Sequence, residues 1–186
     1  RPLATRENLS RAVQTLAQRS GPEDLIFIYL TSHGSSRHEL ALVQPRLELN
    51  DLPASALAEL LKPLQQRHKV VVISACYAGG FIPLLKDAKT LVISAARADR
   101  VSFGCAEDAD FTYFGRALLR DALNQTDDLQ QAFVLAKQQI AAREQAEDFE
   151  PSEPQIWAPK AVLAQWHKMR QQHAEQALSA AATDKP

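Results

Sequence analysis

The sequence predicts an α/β fold, a three-layer sandwich with a mostly parallel central sheet. Three short runs, 25–30, 70–74 and 90–95, are largely apolar without alternation, which is typical of strands buried on both faces. Apolar residues at helical spacing lie before, between and after these runs. Strands separated by helices favour a parallel sheet with helices packed on both of its faces.

The amino-terminal segment predicts a helix that leads into the first strand. Thr5 is a suitable N-cap, and apolar residues recur at helical spacing between Leu9 and Leu16. Gly21, which is followed by a proline, ends this helix before the first strand begins.

The polar segment 35–50 predicts a small hairpin or flap after the first strand. Two short runs, 39–43 and 46–49, flank Pro45 and are its candidate strands. Asp51 is then a suitable N-cap for a helix that carries apolar residues at helical spacing and precedes the second strand.

Between the second and third strands, residues 81–87 predict a loop or a single helical turn. The polar segment 96–110 follows the third strand and is long enough to be a binding loop. Thr112 and Thr126 are suitable N-caps for two further helices.

The carboxyl-terminal segment completes the pattern. The charged run 143–150 and then Pro151 end the second of these helices. Residues 155–157 predict a last short strand, and a final helix begins at Pro159.

The composition is that of a globular protein. The chain has 186 residues, of which 46% are hydrophobic and 23% charged, and its net charge is −1. Lys and Arg are scattered, so there is no basic face of the kind that follows nucleic acid phosphates. We expect a single domain over 1–179 and a disordered tail over 180–186.

No apolar run is long enough to span a bilayer, and no signal peptide is evident. The chain begins at Arg1 without an initiator Met. We therefore expect a fragment or a processed form that has lost an upstream segment, and a soluble domain that is periplasmic or tethered through that segment. Two cysteines are too few for a disulfide framework, but a single bond between them stays open as an alternative.

Two predicted strands end in residues that can carry chemistry. His33 follows the first strand and is followed by Gly34, whereas Cys76 follows the second strand and is followed closely by Gly79 and Gly80. If the two strands are parallel neighbours, both side chains emerge at the carboxyl edge of the sheet, where α/β proteins place their sites. Neighbouring strands are about 5 Å apart, so the two side chains can act on one another.

A thiol and an imidazole at this edge predict nucleophilic acyl transfer. The thiolate is the attacking form of cysteine, and a nearby imidazole supplies the base. The amides of Gly34 and Cys76 are candidate donors for an oxyanion hole. An inert buried thiol beside a solvated imidazole is the alternative.

A zinc site is the weaker hypothesis. It would be formed by His33, His38, Cys76 and Cys105, but no pair of these has the C-x-x-C or H-x-x-x-H spacing of zinc ligands. We therefore expect no metal and no cofactor, and we expect Cys105 to be a structural thiol in or beneath the 96–110 loop.

The order of these motifs resembles the caspase-like cysteine peptidases, and more closely bacterial members of the legumain family. The matching pieces are 28–35, 72–79, 94–115 and 152–157. The resemblance implies a caspase-like fold, an enzyme, and a peptide or protein as its substrate.

The family resemblance also implies roles for individual residues. His33 would be the general base, Cys76 the nucleophile, and the Gly34 and Cys76 amides the oxyanion hole of a cysteine endopeptidase that forms a thioester acyl-enzyme. Some relatives transfer the acyl group to an amine, so a transamidase or peptide ligase is the alternative, and an inactive caspase-like scaffold is the third. The implied substrate-binding residues are Tyr77, Ser94, Ala95, Arg97, Ser102 and Arg116.

The chain departs from the family pattern in three places. Family members open with a strand, a helix and a strand before the region that matches 5–18, and this opening is missing here. Its absence would leave a sheet edge open to pairing with the missing segment or with another chain. Tyr77 and Arg116 stand where legumains carry acidic residues. Arg97 and Arg116 would instead favour an acidic or polar P1 side chain, and surface ion pairing is the alternative for each.

Overall fold

The structure, a computed structural model, describes residues 2–104 and 111–183. Side chains of the last helix are described up to residue 176 and at 179. The prediction for Cys105 therefore lies outside the described residues.

A four-stranded sheet forms the middle layer. Strand β1 (Leu25–Thr31) pairs in parallel with β4 (His68–Ser74), and β4 pairs in parallel with β5 (Thr90–Ser94). Strand β6 (Gln155–Trp157) runs antiparallel to β5. The sheet is therefore mixed but mostly parallel, as the sequence predicts, and the last short strand is confirmed.

Strand β4 is buried on both faces because each face meets a separate hydrophobic core. Val70 and Val72 pack into one core, and Val71 and Ile73 pack into the other. All four have no exposed surface. This alternation explains why the run lacks polar residues, since a strand covered on one face only would show them at every second position.

Helices cover both faces of the sheet, which gives the predicted three layers. One face carries α1 (Arg6–Arg19), α2 (Ala54–Leu61) and α3 (Ile82–Leu85). The other face carries α4 (Tyr113–Gly115) with the π-helix Arg116–Ala122 that continues it, α5 (Leu129–Ala146) and α6 (Lys160–Thr183). Two short 3₁₀-helices, Lys62–Leu64 and Ala78–Phe81, follow α2 and β4.

Two predicted helix caps are confirmed. The Thr5 hydroxyl accepts from the Asn8 amide at 3.2 Å, so it caps α1. The Thr112 hydroxyl accepts from the Gly115 amide at 2.9 Å and caps α4.

Two other predicted caps are wrong. Helix α2 begins directly after Pro53, so Asp51 lies too far upstream, and its carboxylate accepts from the Leu42 amide instead. Asp128 caps α5 in place of Thr126, because Asp128 immediately precedes the first helical residue.

The hairpin between β1 and α2 forms, but with a different partner strand. Strand β2 (Glu39–Leu40) pairs antiparallel with β3 (Leu52–Pro53), which lies beyond the predicted run 46–49. The intervening residues therefore form a wider loop than expected.

Helix α6 continues to Thr183 and so enters the 180–186 segment that was predicted to be disordered. Over the described part of the chain, the helices are either too short or too polar to cross a membrane.

Candidate active site

His33 and Cys76 lie at matching positions on neighbouring strands. In the parallel pairing of β1 with β4, Thr31 is opposite Ser74. The ladder extends one step further, because the Ser32 amide donates to the Ser74 carbonyl at 3.4 Å. His33 and Cys76 are each two residues past the paired Thr31 and Ser74, so both lie at the carboxyl edge of the sheet.

Gly34 lies directly against the backbone of Cys76. A Cβ added at Gly34 would be 2.0 Å from the Cys76 carbonyl oxygen and 3.2 Å from the Ala75 Cβ. The first of these distances is far inside van der Waals contact, so a side chain at residue 34 would push the two segments apart. The absence of a side chain is what allows the two strand ends to meet.

Two backbone amides at this meeting point have no acceptor. Within residues 2–104 and 111–183, neither the Gly34 N–H nor the Cys76 N–H donates to another group. Backbone amides in folded proteins are usually paired, so two free donors next to a cysteine are a specific feature. They can donate to an oxyanion that forms beside the sulfur.

The Cys76 thiol is free and partly exposed. Its Sγ accepts from the Ser102 amide at 3.2 Å and lies 3.4 Å from the Ser102 carbonyl oxygen. Ser102 was predicted to bind substrate through the family resemblance. In the structure it is the Ser102 backbone, not its hydroxyl, that contacts the sulfur.

The His33 ring is exposed, and no described residue forms a hydrogen bond with it. Its backbone is fixed, because the Ala41 amide donates to the His33 carbonyl at 2.9 Å. The ring borders an open, largely apolar cavity of about 490 Å³. The imidazole is thus free to turn toward the sulfur or toward a bound substrate.

The corner after Cys76 is built on Tyr77. Its φ of 56° is in the left-handed region, which is uncommon for a residue with a side chain. The Tyr77 amide donates to the Arg100 carbonyl at 2.7 Å, and its carbonyl accepts from the Gly80 amide at 3.2 Å. Neither Gly79 nor Gly80 has a positive φ, so Tyr77 is the residue that makes the sharp turn.

Ser94 and Ala95, two of the predicted substrate-binding residues, have no exposed surface. The Ser94 hydroxyl donates to the Ala96 carbonyl at 2.9 Å. Neither side chain reaches the surface, so a substrate contact at these positions would have to use the backbone.

The two predicted pocket arginines differ in how firmly they are paired. Arg97 binds the Asp99 carboxylate at 2.5 Å and the Glu153 carboxylate at 2.6 Å. Its hydrogen bond lowers the pKa of Asp99 to about 2. Arg116 is about half exposed and lies 3.9 Å from the Asp121 carboxylate. Arg116 is therefore the more available of the two for an acidic ligand.

The loop that contacts the sulfur is held by the connection between α5 and β6. Phe103 stacks on Phe149 with ring centroids 4.4 Å apart, and Arg100 pairs with Glu150 at 2.8 Å. The buried Glu144 carboxylate accepts from the Ser152 amide at 3.1 Å. Sequence patterns gave no sign of this support, because it joins residues about 50 positions apart.

His38 was considered only as a zinc ligand, yet its ring lies beside the Tyr77 corner. Over the described residues, no three His, Cys, Asp or Glu side chains are grouped as metal ligands would be.

Comparison with known proteins found one family match and similar solved structures. The family model described as the Peptidase C13 family matches residues 6–165 and so spans both His33 and Cys76. Among solved structures, caspase-1 from Spodoptera frugiperda is similar to this chain with a TM-score of 0.61 and 17% identity. That match covers 86% of this chain and 69% of the caspase chain, and at this identity it shows the fold. A search of curated protein sequences gave no match.

Proposed function

Since the chain belongs to the Peptidase C13 family, the legumain family of cysteine peptidases, we propose that it is an endopeptidase with Cys76 as nucleophile and His33 as general base. The observation that supports this assignment is the parallel register of β1 and β4, which brings both residues to one edge of the sheet. The caspase-like fold is consistent with it.

The proposed reaction proceeds in two steps. His33 accepts the proton of the Cys76 thiol, and the resulting thiolate attacks the carbonyl carbon of a peptide bond while the electron pair of the C=O bond moves to the oxygen. When this intermediate collapses, the C–N bond breaks and His33 gives a proton to the leaving amine. Water then attacks the thioester while His33 accepts its proton. The C–S bond breaks, which releases the carboxylic acid, and His33 returns the proton to the sulfur.

The free amides of Gly34 and Cys76 support the oxyanion hole in this reaction. One belongs to the residue that carries the sulfur and the other to the glycine that packs against the backbone of that residue, and neither has another acceptor within the described residues. Loss of one such donor typically lowers kcat by about 10²–10³-fold.

The charge distribution supports an acidic or polar residue at P1. Arg116 is only loosely paired with Asp121, whereas Arg97 is held by two carboxylates. In a peptide library, Arg116→Gln should therefore reduce cleavage after acidic residues more than Arg97→Gln does.

A fluorogenic peptide library tests the function directly. The unmodified chain should cleave a subset of peptides, and Cys76→Ala and His33→Ala should each abolish cleavage while the thermal midpoint stays unchanged. Products formed in the presence of an added amine distinguish hydrolysis from transamidation. Cleavage that persists in Cys76→Ala would contradict the assignment.

A further inference from the structure

His38 connects the segment that carries Gly34 to the corner that carries Cys76. Its ring Nδ1 lies 3.1 Å from the Tyr77 carbonyl oxygen. Because a carbonyl oxygen can only accept, Nδ1 carries the hydrogen and donates it. The Gly80 amide donates to the same oxygen at 3.2 Å, so two donors fix the peptide group that follows Tyr77.

The His38 ring also packs directly onto Gly80. A Cβ added at Gly80 would be 2.1 Å from the ring Cγ and 2.2 Å from Nδ1. Gly80 does not have a positive φ, so the glycine is needed for space and not for backbone freedom. The corner after the cysteine is therefore shaped to receive this imidazole.

His38 is itself held in an uncommon backbone conformation. Its φ is 59°, in the left-handed region, as is the φ of its partner Tyr77. The His38 amide donates to the Ser35 carbonyl at 2.9 Å, and its carbonyl accepts from the Ala54 amide at 2.9 Å. Uncommon conformations that are fixed from several sides cluster at functional sites.

We propose that His38 is a positioning residue of the peptidase, which holds the Gly34 and Cys76 amides in register as one oxyanion hole. The inference rests on the proposed function. The two amides belong to separate segments of the chain, and His38 joins these segments. It lies four residues after Gly34, and its ring binds the carbonyl of Tyr77, the residue after Cys76. It acts through the backbone of the corner and touches no reacting atom.

Two substitutions of similar shape isolate the hydrogen bond. In His38→Asn, the side-chain nitrogen is attached to Cγ, as Nδ1 is, and asparagine tolerates a left-handed backbone. His38→Asp has nearly the same shape and the same backbone tolerance, but its carboxylate can only accept. We expect His38→Asn to retain kcat within about threefold and His38→Asp to lower kcat at least about tenfold with little change in KM, since misplacement of a transition-state donor affects the chemical step.

Alkylation of Cys76 by iodoacetamide supplies a readout that a purely structural role would not produce. This substitution at sulfur forms no oxyanion, so both variants should be alkylated at nearly the wild-type rate. Equal kcat in His38→Asp and the wild type would overturn the inference. So would a parallel fall in kcat, alkylation rate and thermal midpoint, because it would indicate general damage to the fold.

Gly80 provides an independent test that does not depend on the charge of Asp. Gly80→Ala should lower kcat because its methyl group displaces the imidazole. In a His38→Gly background, where the ring is absent, the same methyl group should cause no further loss. Additive losses would overturn the inference. If the unmodified chain cleaves no peptide although Cys76 is alkylated, the proposed function itself fails and the inference fails with it.

Discussion

Replacement of Gly34 by alanine should lower kcat/KM about 100-fold. The new Cβ would lie 2.0 Å from the Cys76 carbonyl oxygen, and real Cβ atoms essentially never approach closer than 3.0 Å. The clashing atom belongs to the backbone and cannot rotate away, so the two strand ends must separate by about 1 Å. A misplacement of about 1 Å in a catalytic constellation can cost about 10²-fold in rate, or about 2.7 kcal/mol.

The same clash should also reduce stability, by the about 1–3 kcal/mol that is typical of overpacking. Both effects are measured together, as kcat/KM on a peptide that the wild type cleaves and as the free energy of unfolding in urea.

Gly21→Ala is the matched control for this substitution. The nearest heavy atom to a Cβ at Gly21 is a carboxylate oxygen of Asp24 at 3.9 Å, which is ordinary contact. Its effect on stability should stay within about 0.5 kcal/mol, as for most surface substitutions, and its kcat/KM should match the wild type. The reasoning is refuted if Gly34→Ala folds with an unchanged midpoint and keeps more than about a third of the wild-type kcat/KM.

Three further predictions concern the residues around the site and the core. Burial lowers the pKa of Lys69 below its usual range. Between the folded and unfolded pKa values the unfolded chain binds more protons than the folded chain, so stability rises with pH across that window. Urea unfolding from about pH 7 to 10.5 should therefore show the free energy of unfolding of the wild type rising relative to that of Lys69→Met. Arg97 lowers the pKa of Asp99 to about 2, so the stability that this carboxylate contributes is fully present above its unfolded pKa and is lost as the pH falls through about 2. Asp99→Asn should therefore have a lower thermal midpoint than the wild type at about pH 7 and the same midpoint at about pH 1.5. A difference in midpoint that does not change with pH would contradict this prediction. Phe149→Ala should lower the free energy of unfolding by about 0.5–1.5 kcal/mol, because it removes the stack on Phe103. It should also speed alkylation of Cys76, because the loop of Ser102 loses part of its support. Val134→Ala, at an exposed position, is the control and should change neither quantity.

The central strands and the mostly parallel character of the sheet could be predicted because their signals are local and strong. The runs at β1, β4 and β5 are apolar on both faces, and parallel pairing then brings residues 33 and 76 to the same edge. Position along the chain was enough to propose His33 and Cys76 as candidate site residues, since each closely follows such a run.

The surroundings of the cysteine could not be predicted because they depend on contacts between distant segments. The Ser102 amide contacts the sulfur because of the path that the loop after β5 takes. His38 contacts Tyr77 from a hairpin whose second strand, β3, lies further along the chain than the strand that the sequence predicts. The two wrong cap predictions have a related cause. Asp51 and Thr126 have side chains that can cap a helix, but the residues that directly precede the two helices are Pro53 and Asp128.

The pairing of β1 with β4 also bears on how the chain folds and loses activity. Leu25 and His68 are 43 positions apart yet pair in parallel, a non-local contact of the kind that forms slowly. Among residues 2–104 and 111–183, strand β1 pairs with β4 and with no second strand, and elements at the edge of a sheet open before its interior. Hydrogen exchange should therefore find β1 less protected than β4, and denaturant should abolish turnover at concentrations where most of the native circular dichroism is still present.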